Sequence, residues 1–297
     1  MQPRLRFDVP LPGGRTLRLG ERTLVMGIVN VTPDSFADGG LRLDPARAVD
    51  DALEMEALGA DLIDVGGEST RPGAEPLPVE EELARVGPVL RALGRRLRVP
   101  LSVDTYKASV AETALDAGAA IVNDISALSY DPALAAVVAR RGAAVVLMHT
   151  RGRPRDMYRE AEYGDVVADV LEELARRLAA ARDAGIPADS VIVDPGIGFG
   201  KHAAHSSAIV ARLHELASLG RPILAAPSRK SFLQRSLGSR PADDREFGTA
   251  AAVAACVLEG AHLILVHRVR EMVDVVRVAD MLRRDAGLDT EAEPWTG

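Results

Sequence analysis

The chain has 297 residues, 47% of them hydrophobic and 27% charged, with a formal net charge of −7. Those proportions allow a large buried core, exclude disorder as the general state, and count against general affinity for nucleic acid or for an anionic membrane, so small molecules are the expected partners. The single cysteine, Cys256, excludes an intrachain disulfide framework; with no signal-peptide pattern and no run near 18 uninterrupted apolar residues, a cytoplasmic location is expected.

In chain order, residues 3–22 alternate around Pro12-Gly13-Gly14, which predicts a β-ribbon over 1–22 capping the bottom of whatever follows. From 23 to 284, short apolar runs recur: TLVMGIVNV (23–31), DLIDVGG (61–67), LSVDT (101–105), IVNDIS (121–126), AAVVLMH (143–149), VIVDPG (191–196), PILAAPS (222–228) and HLILVHRV (262–269). They read as buried parallel strands. Segments such as PVEEELARVGPVLRALG and DVVADVLEELARRLAAARDAG separate them, with apolar residues at helical spacing and glycine near the end. Eight such alternations predict an α/β fold, a single (β/α)8 TIM barrel with a short N-terminal β-hairpin. A doubly wound open sheet is the runner-up, and 285–297 reads as a frayed tail.

Each apolar run stops at polar residues: Asn30, Asp64 to Glu68, Asp104, Asn123-Asp124, His149, Asp194, Ser228-Arg229-Lys230 and His267. A barrel gathers these positions on its carboxyl rim, where barrel enzymes build active sites. Scarcity supports the placement. Of 36 basic residues only Lys107, Lys201 and Lys230 are lysines, the only asparagines are Asn30 and Asn123, and all five fall at the rim or just beyond it. Asp104, Asn123 and Asp194 end three different strands and can together face one flat polar heterocycle. Asp124 reads as a loop cap instead. The loop NVTPDSFADGG, with Asp34, Asp38 and two glycines, is suited to closing over a substrate, and GGESTRPGA offers Arg71 to an anion. DPGIGFGK lacks Walker spacing, and the pair His202/His205 lacks zinc spacing; Phe199 suits an aromatic wall.

MGIVNVTPDSFADGG, DLIDVGGESTRPGA, SVDTYK, IVNDIS, LMHTRGRP, DPGIGFGK and SRKSF occur in the order seen in dihydropteroate synthases, which residues 23 to 280 resemble. The resemblance implies a transferase of folate biosynthesis, a sulfonamide target. It would condense 6-hydroxymethyl-7,8-dihydropterin pyrophosphate with p-aminobenzoate to 7,8-dihydropteroate, with Mg²⁺ as cofactor, in a homodimer. It also implies that Asp104, Asn123, Met148, Asp194, Phe199 and Lys230 hold the pterin, that Thr70, Arg71, Pro72 and Ser231 form the p-aminobenzoate pocket, and that Asn30 and His267 meet the pyrophosphate, Asn30 through the metal. Lys230, Asp38, Arg71 and His267 would carry catalysis. Two departures stand out. The family usually has Arg-Val-His in its last strand, where this chain has Leu265-Val266-His267, and it has glycine and a non-proline residue where this chain has Ala226-Pro227. Loss of a bidentate anion partner is worth about 1.5–3 kcal/mol, with Arg268 and Arg270 the candidates to compensate. A pterin-binding paralogue of low activity and a methyltetrahydrofolate-dependent methyltransferase are the alternatives.

Overall fold

In the N-terminal ribbon, Val9 and Leu11 of β1 (Phe7–Leu11) and Leu17 and Leu19 of β2 (Arg15–Leu19) are the buried residues, and antiparallel pairing of Val9 with Leu17 puts them on one face. The turn between these strands uses Gly13 and Gly14 at φ of 76° and 73°, a region open mainly to glycine. The structure, a computed structural model, describes residues 2–32 and 45–289.

Eight parallel strands follow: β3 (Leu24–Asn30), β4 (Leu62–Gly66), β5 (Leu101–Asp104), β6 (Ile121–Asp124), β7 (Ala144–Met148), β8 (Val191–Asp194), β9 (Leu224–Ala225) and β10 (Leu263–Val266). They pair in the order β8-β7-β6-β5-β4-β3-β10-β9, and a bridge between Val193 and Ile223, with Val193 N donating to Pro222 O at 2.9 Å, closes the ring. The chain is therefore a (β/α)8 barrel with an N-terminal hairpin, not an open sheet. β9 keeps only two paired residues. Pro222 and Pro227 flank it, and neither can donate to a ladder.

Alternate strand residues feed two cores, which is why the strands read as continuous apolar runs. Leu24, Met26, Leu62, Ile121, Ala144, Val146, Ile192, Leu224, Ala226, Leu263 and Leu265 fill the barrel interior, and the hairpin's Val9, Leu11, Leu17 and Leu19 close its bottom. Their neighbours Val25, Ile63, Val103, Val122, Val145, Val193 and Ile264 face outward against the helices. These include α1 (Pro45–Ala57), α2 (Val79–Leu93), α3 (Ala108–Asp116), α4 (Leu134–Arg141), α5 (Val166–Asp183), α6 (Ala203–Ala211), the short α7 (Gln234–Leu237), α8 (Glu246–Leu258) and α9 (Val269–Asp285). Among the described residues no helix is long and apolar enough to cross a membrane.

Beyond α9 the chain is tied down at Asp289, which pairs with Arg4 and with Arg283, while Asp280 takes Arg4 at 2.6 Å and the Thr23 amide at 2.7 Å. Residues 290–297 of the segment expected to fray lie outside the described residues.

Candidate active site

Strand register decides which polar residues meet. Gly66, Asp104 and Asn123 lie level on β4, β5 and β6, Met148 is level with Asp194, and all share the parity of the inward-facing core residues. Asn30 is level with Gly66 at the end of β3. The structure thus brings Asn30, Asp104, Asn123, Met148 and Asp194 to one mouth.

Several of these side chains are held from below or behind. Asn123 Nδ2 donates to Asp64 Oδ2 at 2.9 Å, one level deeper on β4. Asp194 Oδ1 accepts from the Gly196 amide at 2.7 Å, and burial raises its pKa against the pull of Lys230. Asp104 is pushed well up, first by burial and then by the charge of Asp64; its Oδ1 is buried without a hydrogen-bond partner. Lys230 Nζ donates to Ile197 O at 2.7 Å and stands 4.1 Å from the centre of the Phe199 ring, and burial lowers its pKa to about 8. Gly198, at φ 80°, makes room for it, since a Cβ there would meet Lys230 Cδ at 2.9 Å. Met148 joins Tyr106 and Ile125, with Tyr130 and Phe199 beside them, in an apolar patch at the same mouth. Acceptors, one ammonium and this patch together suit a flat, donor-rich ring.

The loop after β4 is pinned at its ends. Glu68 accepts from Lys107 Nζ, from Tyr106 Oη at 2.8 Å and from the Leu77 amide at 3.1 Å, and Lys107 Nζ also meets Glu82 at 2.5 Å and Leu77 O at 2.6 Å. Between those pins, Thr70 is half-buried while Arg71 and Pro72 are exposed, and the Gly73 amide donates to Pro154 O at 2.9 Å. Ser231 is exposed at the start of a short 3-10 turn after Lys230. Lys107 is therefore an anchor.

Lys201 has a similar role. Its buried ammonium donates to His149 Nδ1 (2.8 Å) and to the carbonyls of His149, Gly196 and Phe199, while His149 Nε2 donates to Glu173 at 2.9 Å. Of the three scarce lysines, only Lys230 reaches the mouth. Asp124 caps its loop as expected, accepting from the Ser126 amide at 2.7 Å and from the Leu128 amide, and so holds Ala127 and Leu128 at positive φ. His202 stacks on Tyr158 and His205 packs edge-on to Tyr163.

His267 lies just beyond β10, with Nδ1 2.9 Å from Ser228 Oγ. Burial lowers its pKa to about 4, and Arg229, Arg71 and Lys230 push the same way, so it is neutral at pH 7. Leu265, level with Met26, is one inward step deeper and 8% exposed. Arg268 is exposed and pairs with Glu271 at 3.4 Å at the start of α9, and Arg270 is exposed on the same helix. The cations whose charge acts on His267 are Arg229, Arg71 and Lys230. Arg229 is itself engaged by Glu246 and Asp243.

Asp38 and the rest of 33–44 lie outside the described residues. Sequence reasoning assigned no role to Ile125, Tyr106 or Asp64. The first two are apolar-patch residues whose neighbours come from other strands; Asp64, grouped by sequence with the rim residues, lies one inward step deeper, level with Ser102.

A sequence model of the family described as "Pterin binding enzyme" matches residues 26–267. A dihydropteroate synthase of Synechocystis is 43% identical over 279 residues, covering 94% of this chain and 96% of its own. The chain belongs to the dihydropteroate synthase family. It is similar to the Xanthomonas albilineans dihydropteroate synthase solved with 4-aminobenzoic acid (TM-score 0.86, 44% identity, 93% of this chain and 98% of that one). It is also similar to the Burkholderia cenocepacia dihydropteroate synthase complexed with 7,8-dihydropteroate (TM-score 0.85, 42% identity, 97% and 99%). As a member of the dihydropteroate synthase family the chain is an enzyme, a transferase.

Proposed function

We propose that the chain condenses 6-hydroxymethyl-7,8-dihydropterin pyrophosphate with p-aminobenzoate, releasing pyrophosphate and 7,8-dihydropteroate. The observation that carries this reading is the convergence of Asp104, Asn123, Asp194 and Lys230 beside Phe199 and Met148, a complement to the amino and ring N–H groups of a pterin. Asp194 and Asp104 accept from the ring, Asn123 contributes an amide, and Lys230 caps an acceptor edge, while Phe199 and Met148 cover the faces. Arg71, exposed beside Thr70 and Pro72, takes the carboxylate of p-aminobenzoate, with Ser231 completing that pocket.

The methylene carbon loses pyrophosphate in an SN1-like step. The electron-rich pterin spreads the developing cation, so the residues around it need to position rather than deprotonate. The aryl amine then attacks the methylene carbon and gives up its surplus proton to the released pyrophosphate or to water, and neutral His267, with Ser228, hydrogen-bonds the departing anion. Arg71 and Lys230 supply positive charge facing it. Asn30 fits a Mg²⁺ contact: its amide, half-buried at the end of β3, has no side-chain hydrogen bond among the described residues, and Mg²⁺ commonly takes few protein ligands. When bound, the ion neutralises charge on the leaving group.

A homodimer through the last helices fits the same reading, because Phe247 on α8 (94% exposed) and Val278, Met281 and Leu282 on α9 leave apolar side chains in solvent. A cytoplasmic location is the accompanying expectation. The deciding experiment is a turnover assay with both substrates and Mg²⁺. Dihydropteroate formation that a sulfonamide inhibits is the expected result. Absence of product at saturating pterin pyrophosphate overturns the synthase reading and, if pterin still binds, leaves the low-activity paralogue that Leu265 favours.

A further inference from the structure

Asn123 is the one amide in the mouth's pterin-facing set, and an amide can present either a donor or an acceptor. Which end it turns to a ligand depends on what holds the other end. Here Nδ2 is taken by Asp64 Oδ2 at 2.9 Å, both residues being buried at 5% and 3% exposure. Asp64 sits on the inward face of β4, level with Ser102, one step below the level of Asp104 and Asn123. It touches no ligand position proposed above. Its other oxygen, Oδ1, is buried without a hydrogen-bond partner. A buried acidic side chain in a mainly apolar barrel interior is costly to keep, so it calls for a role.

We propose that Asp64 is a positioning residue for the pterin: as an acceptor-only group it fixes the NH₂ of Asn123 toward the barrel interior and turns Asn123 Oδ1 to the heterocycle, beside Asp104. The mouth then shows the ring three acceptors, on β5, β6 and β8, which select a heterocycle edge carrying N–H donors. Reversal of the amide would place an NH₂ against those donors. Burial raises the pKa of Asp64, and Ser102 and then the hydrogen bond from Asn123 pull it back toward the ionised form that accepts from Asn123 Nδ2. This inference rests on the pterin reading of the site.

The chain's own composition supplies the test. Asn30 and Asn123 are its only asparagines, so protein labelled with ¹⁵N-asparagine shows two side-chain amide pairs, told apart with an Asn30→Ser variant. In the ligand-free wild type the Asn123 pair is expected to exchange slowly with water, and in Asp64→Asn, where either amide can flip, that protection falls. Calorimetry with 6-hydroxymethylpterin is expected to show a Kd about tenfold higher in Asp64→Asn, the loss of one oriented hydrogen bond. In an Asn123→Ala background, Asp64→Asn adds no further change. Fast exchange in the wild type, unchanged affinity in Asp64→Asn, or additive effects of the two substitutions overturns the proposal. If Asp64→Asn does not fold, exchange in the wild type decides alone. Failure of the wild type to bind the pterin at all sinks the pterin reading and this proposal together, whereas binding unmoved by Asp64→Asn sinks the proposal only.

Discussion

Leu265→Arg tests the anion-facing side of the mouth. Leu265 lies between Leu263 below and His267 above on the inward face of β10, beside Met26 of β3 and across from the small Ala226. An arginine stem can follow the leucine's path and raise its guanidinium past Ala226 to the level of His267, keeping its methylenes buried. Partial loss of leucine burial and crowding with the Arg71, Arg229 and Lys230 charges cost the free enzyme about 1–2 kcal/mol, seen as a fall in Tm of about 2–4 °C per kcal/mol. With pyrophosphate in place the same group gains a charge-assisted hydrogen bond of about 1.5–3 kcal/mol. At about 1.4 kcal/mol per decade, that lowers KM for pterin pyrophosphate, and the inhibition constant of free pyrophosphate, by about 10- to 150-fold. The assay is steady-state kinetics at fixed Mg²⁺ and low salt, with pyrophosphate as product inhibitor and thermal melts in parallel. The KM of p-aminobenzoate should not move. A folded variant with unchanged KM and unchanged pyrophosphate inhibition would refute the reasoning, because the wild-type cations would then already satisfy the anion.

Four further outcomes are expected. His149, His262 and His267 are each lowered by burial to about 4 from 6.5, so the unfolded chain binds more protons between those values and stability falls as pH drops from 6.5 to 4. Asp64, raised from 3.8 to about 6, offsets part of this fall; thermal melts of the wild type and His262→Gln should show a smaller acid loss in the variant. Lys201 is held at about 7 by burial against an ordinary 10.5, so the folded chain binds fewer protons across that window and stability rises with pH there. Lys201→Met should flatten that rise in denaturant titrations, and an unchanged slope would show the ammonium is not the cause. Lys107→Met removes the cation shared by Glu68 and Glu82, at a cost of about 3–5 kcal/mol, and should raise KM for p-aminobenzoate through the loop that carries Arg71. Phe247→Asp should shift sedimentation toward monomer if α8 and α9 form the dimer face.

Several features needed no tertiary information. Hydrophobic period separated strands from helices, and the repeat of strand then helix implied closure with polar residues on one rim. The scarcity of asparagine and lysine marked positions there without any reference to relatives. Lys107 and Lys201 show the limit of that signal. Both stand at the rim as composition suggests, yet both turn away from the mouth to satisfy buried carboxylates, carbonyls and an imidazole, because an ammonium at a strand end can serve a ligand or the loop behind it.

What the sequence by itself determined is therefore the barrel, its rim and the family motifs, all of which follow from residue order along one strand or one loop. What only the tertiary structure decided is which residues share a level. The pairing of Asp64 with Asn123 joins residues 59 apart across an intervening strand, and the place of Leu265 one step beneath His267 depends on inward parity in the closed barrel. Register between strands is set by how whole side chains fill the interior, and no local pattern along the chain records it.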